Sequence, residues 1–422
     1  MPLQHSRPRL HLPQRALALV LARKAGCLLA ASDGQRAAAA AHFGGKFRTI
    51  DFTLSNCLNS GIRRVGVITH YKSHSLQRHL ERGWAPVKTD ADPFVSLLTA
   101  RRPRDDQEQC DGSAEAVASH QDILDSYLAE YVLVLGGEHI YKMNYAAMLA
   151  DHVAKGRECT VACIEVPLDE ARALGVVSVD AQWRITDFNQ QPAEPACMPG
   201  RSDRALASMG IYIFNANYLY AELARDRADP TSSHDFDRDL VPHAVRGGDA
   251  VAHPFAQSCV GTAPGNTPYW RDVGTIDAYW QANIDLTATQ PLLDLYDIHW
   301  PIRTNHTELA SAKFLHDQPD RRGMAVESLV AGGCVISGSV ARSVLCAGVR
   351  VHSYANVESS VLLPDVAVGR HAHLRRVVVD RGCSIPDGLI VGVDAAADAE
   401  RFLRTNNGVT LITAERLARL LP

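Results

Sequence analysis

The 422-residue chain has no excess of charge of either sign and no long apolar run. Its 43 Lys and Arg residues nearly balance 47 Asp and Glu residues, so the formal charge is −4. That balance leaves no electrostatic footprint for nucleic acid or an anionic membrane. No segment approaches the roughly 18–20 apolar residues of a membrane span. With 46% hydrophobic and 21% charged residues, the composition excludes a disordered, collagen-like or coiled-coil chain.

Cysteine pairs of the Cys-x-x-Cys type are also missing. Ten cysteines are spread along the chain, and this pattern favours reduced thiols over a disulfide framework. The apolar run Ala16–Ala22 follows a basic N-terminus and could be the core of a targeting signal. Arg23 and Lys24 end that run early, and no small-residue cleavage site follows. We therefore favour a buried first strand and expect a cytoplasmic protein.

The first 289 residues alternate short apolar runs with segments of helical pattern. The best predicted strands are Val65–Thr69, Tyr131–Leu135, Glu158–Val166 and Gly210–Phe214. Their hydrophobic residues are mostly continuous, as in strands that are buried on both faces. Lys72–Arg82 and Tyr145–Lys155 have the pattern of helices between them. We predict an α/β domain over residues 1–289, with ligands bound at the carboxyl ends of its strands.

Residues 290–323 contain several proline and glycine breaks and are predicted to be a connector. Beyond it, aliphatic residues recur every six positions within three groups: Val351 and Val357; Val368 and Leu374; Val379, Ile385 and Val391. This period predicts a parallel β-helix of hexapeptide repeats over residues 324–422, with ordinary β-hairpins as the alternative. Ala399–Arg404 and Ala414–Leu421 are predicted to form short helices after it.

Three stretches have the composition of a functional site. Phe43–Arg48 is a glycine turn with two cations, whereas Gly136–Tyr141 and Trp270–Thr275 each place an acid beside a glycine turn. Carboxylates at strand ends could bind Mg²⁺, which takes one or two of them together with phosphate oxygens. A helix cap or a solvated surface group is the alternative for each acid.

Longer motifs make a family recognisable. They are Phe43–Arg48 with Asp51-Phe52 and Leu54-Ser55-Asn56, then Ala207–Tyr212, Ser232–Phe236 and Tyr269–Thr275. Together they resemble bacterial ADP-glucose pyrophosphorylase (glucose-1-phosphate adenylyltransferase), in one register from about Ala16 to the C-terminus. The resemblance implies a Rossmann-like nucleotidyltransferase domain, a left-handed β-helix, a tetramer and a role in glycogen synthesis. The implied reaction joins ATP and glucose 1-phosphate, with Mg²⁺, into ADP-glucose and pyrophosphate.

The same resemblance implies a set of site residues. Substrate-binding positions correspond to Cys110, Gly175, Gln190, Gln191, Ser208, Tyr212, Asp235, Phe236, Trp270 and Asp272. Glu138, where the family has Asp, and Asp272 correspond to metal ligands, although the longer Glu side chain suits Mg²⁺ geometry less well. Positions near an anionic effector pocket correspond to Arg36, His42, Arg48, Arg375 and Arg376. Packing is the alternative for Tyr212 and Phe236, and a solvated basic face is the alternative for the effector set.

The departures from the family concentrate on phosphate binding. The family's Gly-Gly-x-Gly-x-Arg-Leu loop corresponds to Leu21–Leu29, where Gly26 alone of the three glycines remains. Ala25 and Leu28 replace the loop arginines. Ala38 and Gln191 replace lysines that face phosphates. Losing one donor of this kind typically costs about 10²–10³-fold in rate. The sequence thus predicts that the residues lining the hexose are retained. It also predicts that the residues binding the polyphosphate, here called the polyphosphate cradle, are largely lost.

From this contrast we expect a weakly active or non-catalytic regulatory subunit that assembles with a catalytic paralogue. One alternative is an active adenylyltransferase in which Arg23 and Lys24 replace the missing cations. A second is a sensor that binds glucose 1-phosphate without reaction. A β-helix acyltransferase is disfavoured, since no acyl-carrier signature accompanies the histidines of the repeat region: His352, His371 and His373. No nucleic acid or membrane partner is expected.

Overall fold

The computed structural model describes residues 11–22, 38–69, 74–89, 92–99, 112–262, 267–305 and 307–420. We call the part before residue 290 the α/β unit. Its strands are β1 (Ala16–Ala22), β2 (His42–Phe43), β3 (Phe47–Arg48), β4 (Val65–Thr69), β5 (Lys88–Thr89), β6 (Asp92–Pro93), β7 (Val95–Thr99), β8 (Tyr131–Gly136), β9 (His139–Tyr141), β10 (Cys159–Pro167), β11 (Gly175–Val179), β12 (Ile185–Gln190), β13 (Arg204–Asn215), β14 (Ala250–Pro254) and β15 (Trp270–Asp272). Its α-helices are α1 (Thr49–Asn59), α2 (His74–Gly83), α3 (Ser113–Ala118), α4 (Gln121–Ser126), α5 (Tyr145–Lys155), α6 (Leu168–Ala171), α7 (Ala216–Arg227), α8 (Val241–Gly247) and α9 (Ile276–Asp285).

One mixed sheet organises the α/β unit. Strands β7, β4, β1 and β8 are parallel neighbours in that order, and β13 joins β8 in the antiparallel sense. The other edge of β13 pairs with β10, which is parallel to β14, and the hairpin β11–β12 is attached through β11. This arrangement brings the carboxyl ends of β1, β8 and β10 and the start of β13 to one edge of the sheet.

Strand β1 explains the continuous apolar runs. Ala16, Ala18 and Val20 belong to the core cluster on one face of the sheet, and Leu17, Leu19 and Leu21 belong to the cluster on the other. All seven residues of the strand are buried. A strand with core on both sides needs apolar residues at every position. The predicted α/β fold and the buried first strand are therefore confirmed.

The other predicted elements of the α/β unit are found close to their expected ends. β4 and α5 match the predicted Val65–Thr69 and Tyr145–Lys155. β13 is longer than the predicted Gly210–Phe214, because its first half pairs with β10 as well. Within the described ranges, no helix is both long and apolar enough to cross a bilayer. The eight cysteines that the structure describes are unpaired, as predicted.

A parallel β-helix follows. Its strands and the flanking ones are β16 (Lys313–Phe314), β17 (Asp317–Gln318), β18 (Arg321–Arg322), β19 (Met324–Val326), β20 (Leu329–Val330), β21 (Val335–Ile336), β22 (Ser339–Ala341), β23 (Val344–Leu345), β24 (Arg350–Val351), β25 (Asn356–Glu358), β26 (Val361–Leu362), β27 (Ala367–Val368), β28 (His373–Arg375), β29 (Val377–Val379), β30 (Ser384–Ile385), β31 (Ile390–Val391), β32 (Leu403–Arg404) and β33 (Thr410–Ile412). Three parallel sheets form its sides: β16-β21-β24-β27-β30, β19-β22-β25-β28-β31 and β20-β23-β26-β29-β33.

The six-residue period is the number of residues along the chain between equivalent positions on one of these parallel sheets and the next. Val351 and Val357 lie on the first and second sheets, and Val368 and Leu374 lie directly above them on the next coil. The step from the second sheet to the third, as from Val357 to Leu362, has five residues instead. That shorter step divides the repeat into the groups seen in the sequence. The predicted β-helix is confirmed.

The chain after β31 differs from the prediction at one helix. The helix α10 (Ala395–Arg401) begins earlier than expected and ends before Leu403–Arg404, which form the strand β32 instead. A final helix, α11 (Ala414–Ala418), begins at the predicted residue. β33 pairs with β29 in the third sheet of the β-helix, so the C-terminal segment packs back onto the β-helix.

An apolar cluster joins the α/β unit to the β-helix. Phe43, Phe52 and Tyr279 share it with Val344 and Val361 of the β-helix. In the glycine turn, Gly44 and Gly45 have positive φ angles of 58° and 78°, and a Cβ on Gly45 would lie 3.2 Å from the Leu345 carbonyl. The turn predicted to carry two cations is thus part of the joint between the two units.

Candidate functional site

Strand β13 borders three groups of predicted site residues. Val176 of β11 pairs with Ala207 on one side of it, and Ile211 pairs with Leu135 of β8 farther along the same edge. Between them, Gly210 has a φ of 65°, and a Cβ there would lie 3.5 Å from the ring of His139. The segment from Ala207 to Tyr212 is therefore the structural centre of the site.

The first group contains both predicted metal ligands. β8 ends at Gly136, Glu138 follows in the turn, and β9 pairs with β15 so that Asp272 lies opposite His139. The ring of Trp270 lies 5.0 Å from that of His139. Asp272 is exposed, and its Oδ1 accepts a hydrogen bond of 2.9 Å from the Gly274 amide. The strand pair thus places the two carboxylates on neighbouring segments at the carboxyl end of β8.

This donor set fits one kind of metal. Among the described residues, no group of three or more His, Cys, Asp or Glu side chains is arranged to hold an ion. Two carboxylates are nevertheless what Mg²⁺ usually takes from a protein when substrate phosphates complete its shell. Glu138 and Asp272 are compatible with such a shared site and not with a closed, all-protein one.

Two cations and one tyrosine lie close in sequence to these carboxylates and contact other groups of the protein. The Lys142 ammonium is 3.1 Å from Asp297 and its residue is 3% exposed. The Arg271 guanidinium lies over the Tyr269 ring at 5.1 Å and donates to the Trp270 carbonyl. Burial, reinforced by the nearby Asp285 carboxylate, raises the pKa of Tyr269. Both cations are thus held by groups of the protein itself.

The second group is a stack of aromatic rings. Tyr212 and Phe236 are each 1% exposed, and their rings stack with centroids 6.2 Å apart. The Tyr212 hydroxyl donates to Asp237 and lies 3.3 Å from Ser208 Oγ. The Tyr212 and Phe236 rings are part of the core. The hydroxyls of Ser208 and Tyr212 are the polar groups that β13 contributes here.

Asp235 belongs to the same group and acts as a cap. Its Oδ1 accepts from the Asp237 and Arg238 amides at the start of the π-helical turn Phe236–Leu240, and its Oδ2 accepts from Ser113 Oγ at 2.8 Å. Both carboxylate oxygens therefore have protein donors. Ser113 in turn accepts from the Phe236 amide at 2.9 Å, which docks the start of α3 on this motif.

Gly112 makes that docking possible. A Cβ on Gly112 would lie 1.9 Å from the His234 carbonyl oxygen, closer than any side chain allows. The same carbonyl accepts from the Ala114 amide at 2.8 Å. His234 has a φ of 55° and its Nδ1 is 2.8 Å from Asp226, which holds the carbonyl in this orientation.

A neighbouring carboxylate supports the same turn. Asp239 Oδ2 accepts from Ser233 Oγ at 2.6 Å and from the Asp235 amide at 2.9 Å. Burial opposes the ionisation of Asp239, but these hydrogen bonds prevail and lower its pKa. Asp239 therefore supports this turn as a carboxylate at neutral pH.

The third group is the base of the β11–β12 hairpin. Gly175 lies opposite Gln190, and a Cβ on Gly175 would be 2.6 Å from Gln190 Oε1. Gln191 has a φ of 50°, and its amide Nε2 donates to the Ala173 carbonyl at 3.3 Å. Both glutamines are exposed, and the Gln191 side chain bends back onto its own loop.

Three sequence predictions fall outside the described residues. They concern the phosphate-loop segment 23–29, the effector candidate Arg36 and the substrate candidate Cys110. Their placement stays a prediction.

The remaining effector candidates are divided between the two units. His42 pairs with Arg48 across β2 and β3, and its carbonyl accepts from the Tyr279 hydroxyl. The Arg48 guanidinium donates to the Ala40 carbonyl and to Ser75 Oγ, at 3.3 and 2.9 Å. This hairpin therefore lies against α9.

Arg376 reaches α9 from the β-helix. Its guanidinium lies 4.4 Å from the centre of the Trp280 ring and donates to the Asn407 carbonyl at 3.1 Å. Arg375 points elsewhere, 3.8 Å from Glu358 on the neighbouring coil. The structure thus brings His42 and Arg376 to consecutive residues of one helix, Tyr279 and Trp280. Arg48 is linked to this helix through its strand pairing with His42, and Arg375 is directed to Glu358.

Sequence reasoning missed several residues that hold the site together. They are Gly112, Ser113, Asp237 and Asp239. Ser113 and Asp235 are 122 positions apart, so no local pattern relates them. The available signal was that Gly112-Ser113 precedes a helix as a cap would.

Two family models match the chain. The model described as Nucleotidyl transferase matches residues 35–289, more than half of the chain. The model described as GlmU-like, C-terminal hexapeptide matches residues 310–412. The second match is consistent with a left-handed hexapeptide β-helix in that region.

Proposed function

The chain belongs to the nucleotidyl transferase family, and we propose that it is an ADP-glucose pyrophosphorylase-like subunit with weak or no activity of its own. It binds glucose 1-phosphate and serves as a regulatory or structural partner of a catalytic paralogue in glycogen biosynthesis. The assembly is a homo- or hetero-tetramer. Family membership by itself implies only sugar phosphate and nucleotide substrates.

The observation that carries the proposal is an asymmetry within one site. On the sugar side, Ser208 lies within hydrogen-bond distance of Tyr212, the Tyr212 ring stacks on Phe236, and Asp235, next to Phe236 in sequence, accepts from Ser113. On the phosphate side, four cations that the family resemblance implies are replaced by uncharged residues: Ala25, Leu28, Ala38 and Gln191. Phosphoryl transfer depends almost wholly on positioning and charge stabilisation, so these losses weigh on turnover more than on sugar binding.

The chain's own residues would bind and orient the sugar phosphate. The Ser208 hydroxyl would donate to a sugar oxygen, and the Tyr212 hydroxyl, which itself donates to Asp237, would accept from a sugar hydroxyl. Gln191 would donate the second N–H of its amide to the phosphate, since the first donates to the Ala173 carbonyl. A charged donor is worth about 1.5–3 kcal/mol and a neutral one about 1. Members of the family commonly use Mg²⁺; held by Glu138 and Asp272, it would supply neutralisation of phosphate charge.

Titration calorimetry tests the proposal. Glucose 1-phosphate is expected to bind saturably, and Mg²⁺·ATP is expected to give no saturable heat. Gln191→Lys restores a charged donor and should tighten glucose 1-phosphate binding about tenfold, the equivalent of roughly 1.4 kcal/mol. Gln182→Lys, on an exposed residue of the same hairpin, is the matched control and should leave the affinity unchanged. Tight ATP binding, or no binding of glucose 1-phosphate, would refute the proposal.

A working adenylyltransferase is the second candidate. Both carboxylates suited to Mg²⁺ are present on paired segments, and this observation favours it. In that case Arg23 and Lys24 would replace the missing cations. Co-expression with an active family member separates the two functions: a regulatory subunit forms a hetero-oligomer and changes its partner's effector response, and an independent enzyme does neither.

A further inference from the structure

A cavity of about 400 Å³ lies at the carboxyl end of β10, and its lining residues differ from those assigned to the candidate site. Its walls come from the end of β10, the start of β13, the turn after β14 and the tip of the β11–β12 hairpin. Ile164, Leu206 and Phe255 supply buried apolar surface. Small-molecule sites typically have volumes of about 300–1,000 Å³ and an apolar lining with a few polar groups.

Trp183 forms one wall of this cavity in an unusual conformation. It lies at the hairpin tip with a φ of 61°, a region that bulky side chains rarely occupy. Its amide donates to the Asp180 carbonyl at 3.1 Å and its carbonyl accepts from the Ala252 amide at 2.8 Å. Glycine or asparagine would adopt this turn with less strain. The backbone geometry therefore does not account for a tryptophan. Its ring is partly buried against the core cluster and also lines the cavity.

The charged groups at the cavity are two arginines and one acid. Arg204 donates through Nη1 to the Glu165 carbonyl at 3.3 Å, and a guanidinium has further N–H groups beyond that one. Arg201 lies 3.9 Å from the Glu165 carboxylate and 3.3 Å from Asp203, and its side chain is half exposed. Among the residues that line the cavity, positive charge exceeds negative charge by one.

We propose that this cavity binds a small amphipathic anion. Its flat or apolar body lies against Trp183 and the apolar floor, and its carboxylate or phosphate faces Arg204 and Arg201. An aromatic ring is a good partner for a flat ligand, and a guanidinium pairs well with planar or tetrahedral oxyanions. This site is additional to the sugar phosphate site and does not depend on the proposed function.

Fluorescence titration with 8-anilinonaphthalene-1-sulfonate, a flat aromatic anion, tests the proposal. The wild-type chain should show one saturable binding component. Arg204→Gln and Trp183→Gly should each weaken that component at least tenfold. Arg172→Gln removes an exposed arginine outside the cavity and should leave it unchanged.

Two further measurements keep the test decisive. Trp183→Gly relieves the positive-φ strain but loses the packing of the ring, so its melting transition should stay cooperative and fall by only a few degrees while the probe is lost. Excess glucose 1-phosphate should not displace the probe. The proposal is overturned if both cavity variants bind the probe like the wild type, if no saturable component exists, or if glucose 1-phosphate competes with it.

Discussion

The β-helix is specified by short, repeated segments of sequence, and the proposed sugar side of the α/β unit is specified by contacts between distant segments. In the β-helix, each inward residue lies over another one coil away, as Val357 lies under Leu374, and a short repeat specifies the stack. On the sugar side, Ser113 meets Asp235 across 122 positions, and Gly175 meets Gln190 across a hairpin. Local repetition therefore makes a scaffold, and the site depends on a few long-range contacts that tolerate little change.

The largest effects are expected at one glycine in each region. A Cβ on Gly112 or on Gly392 would lie 1.9 Å from a backbone carbonyl oxygen, that of His234 or of Arg375. Alanine at either position should destabilise its own region by roughly 3–5 kcal/mol, because backbone cannot move aside cheaply. Hydrogen exchange read region by region should locate each loss, and only Gly112→Ala should also abolish glucose 1-phosphate binding.

Gly388→Ala is the control for this pair. Gly388 also has a positive φ, 74°, but nothing lies within 4 Å of its Cβ position. It should cost only about 1–2 kcal/mol, from the backbone conformation alone. Loss of sugar binding in Gly392→Ala would show that the two regions are not independent. Retention of sugar binding in Gly112→Ala would show that binding does not depend on the contact between Gly112 and His234.

A smaller effect is expected at Asp235, where two variants separate capping from ligand binding. Asp235→Ala loses the cap of the π-helical turn and should cost about 1–2 kcal/mol of unfolding free energy. Asp235→Asn keeps a capping oxygen and should retain most of that stability. If capping is the main role, calorimetry should find sugar affinity preserved in the Asn variant and lowered in the Ala variant. An equal loss in both would instead assign a direct ligand role to the carboxylate.

The fold could largely be predicted from the sequence, because local patterns specify it. The site could not, because it depends on contacts between distant segments. β1, β4 and α5 follow from local patterns of hydrophobic residues, and so do the coils of the β-helix. The family resemblance supplied Ser208 and Asp235, but no pattern indicated that Gly112 must touch His234. Steric contacts between distant segments leave no period in the sequence. The five-residue step of the β-helix was hidden likewise, because it interrupts the period used to find it.

The smallest effect is expected where the two regions meet. The Arg376 guanidinium over Trp280 contributes about 0.5–1 kcal/mol if it behaves as an exposed cation–π pair. Arg376→Gln should therefore lower the melting temperature slightly and leave sugar binding intact. Arg350→Gln, on an exposed arginine of the β-helix outside the effector candidates, is the control. A large change in anion binding by Arg376→Gln, with no change in melting temperature, would favour an effector role over a structural one.

Pyrophosphate release from ATP and glucose 1-phosphate, measured on the purified chain alone with Mg²⁺, is the decisive assay for the depleted polyphosphate cradle. We expect turnover far below roughly 1 s⁻¹, the low end for ordinary enzymes, at glucose 1-phosphate concentrations that saturate the proposed sugar side. Turnover at or above that rate would mean that the cradle still works and that the chain is an enzyme in its own right.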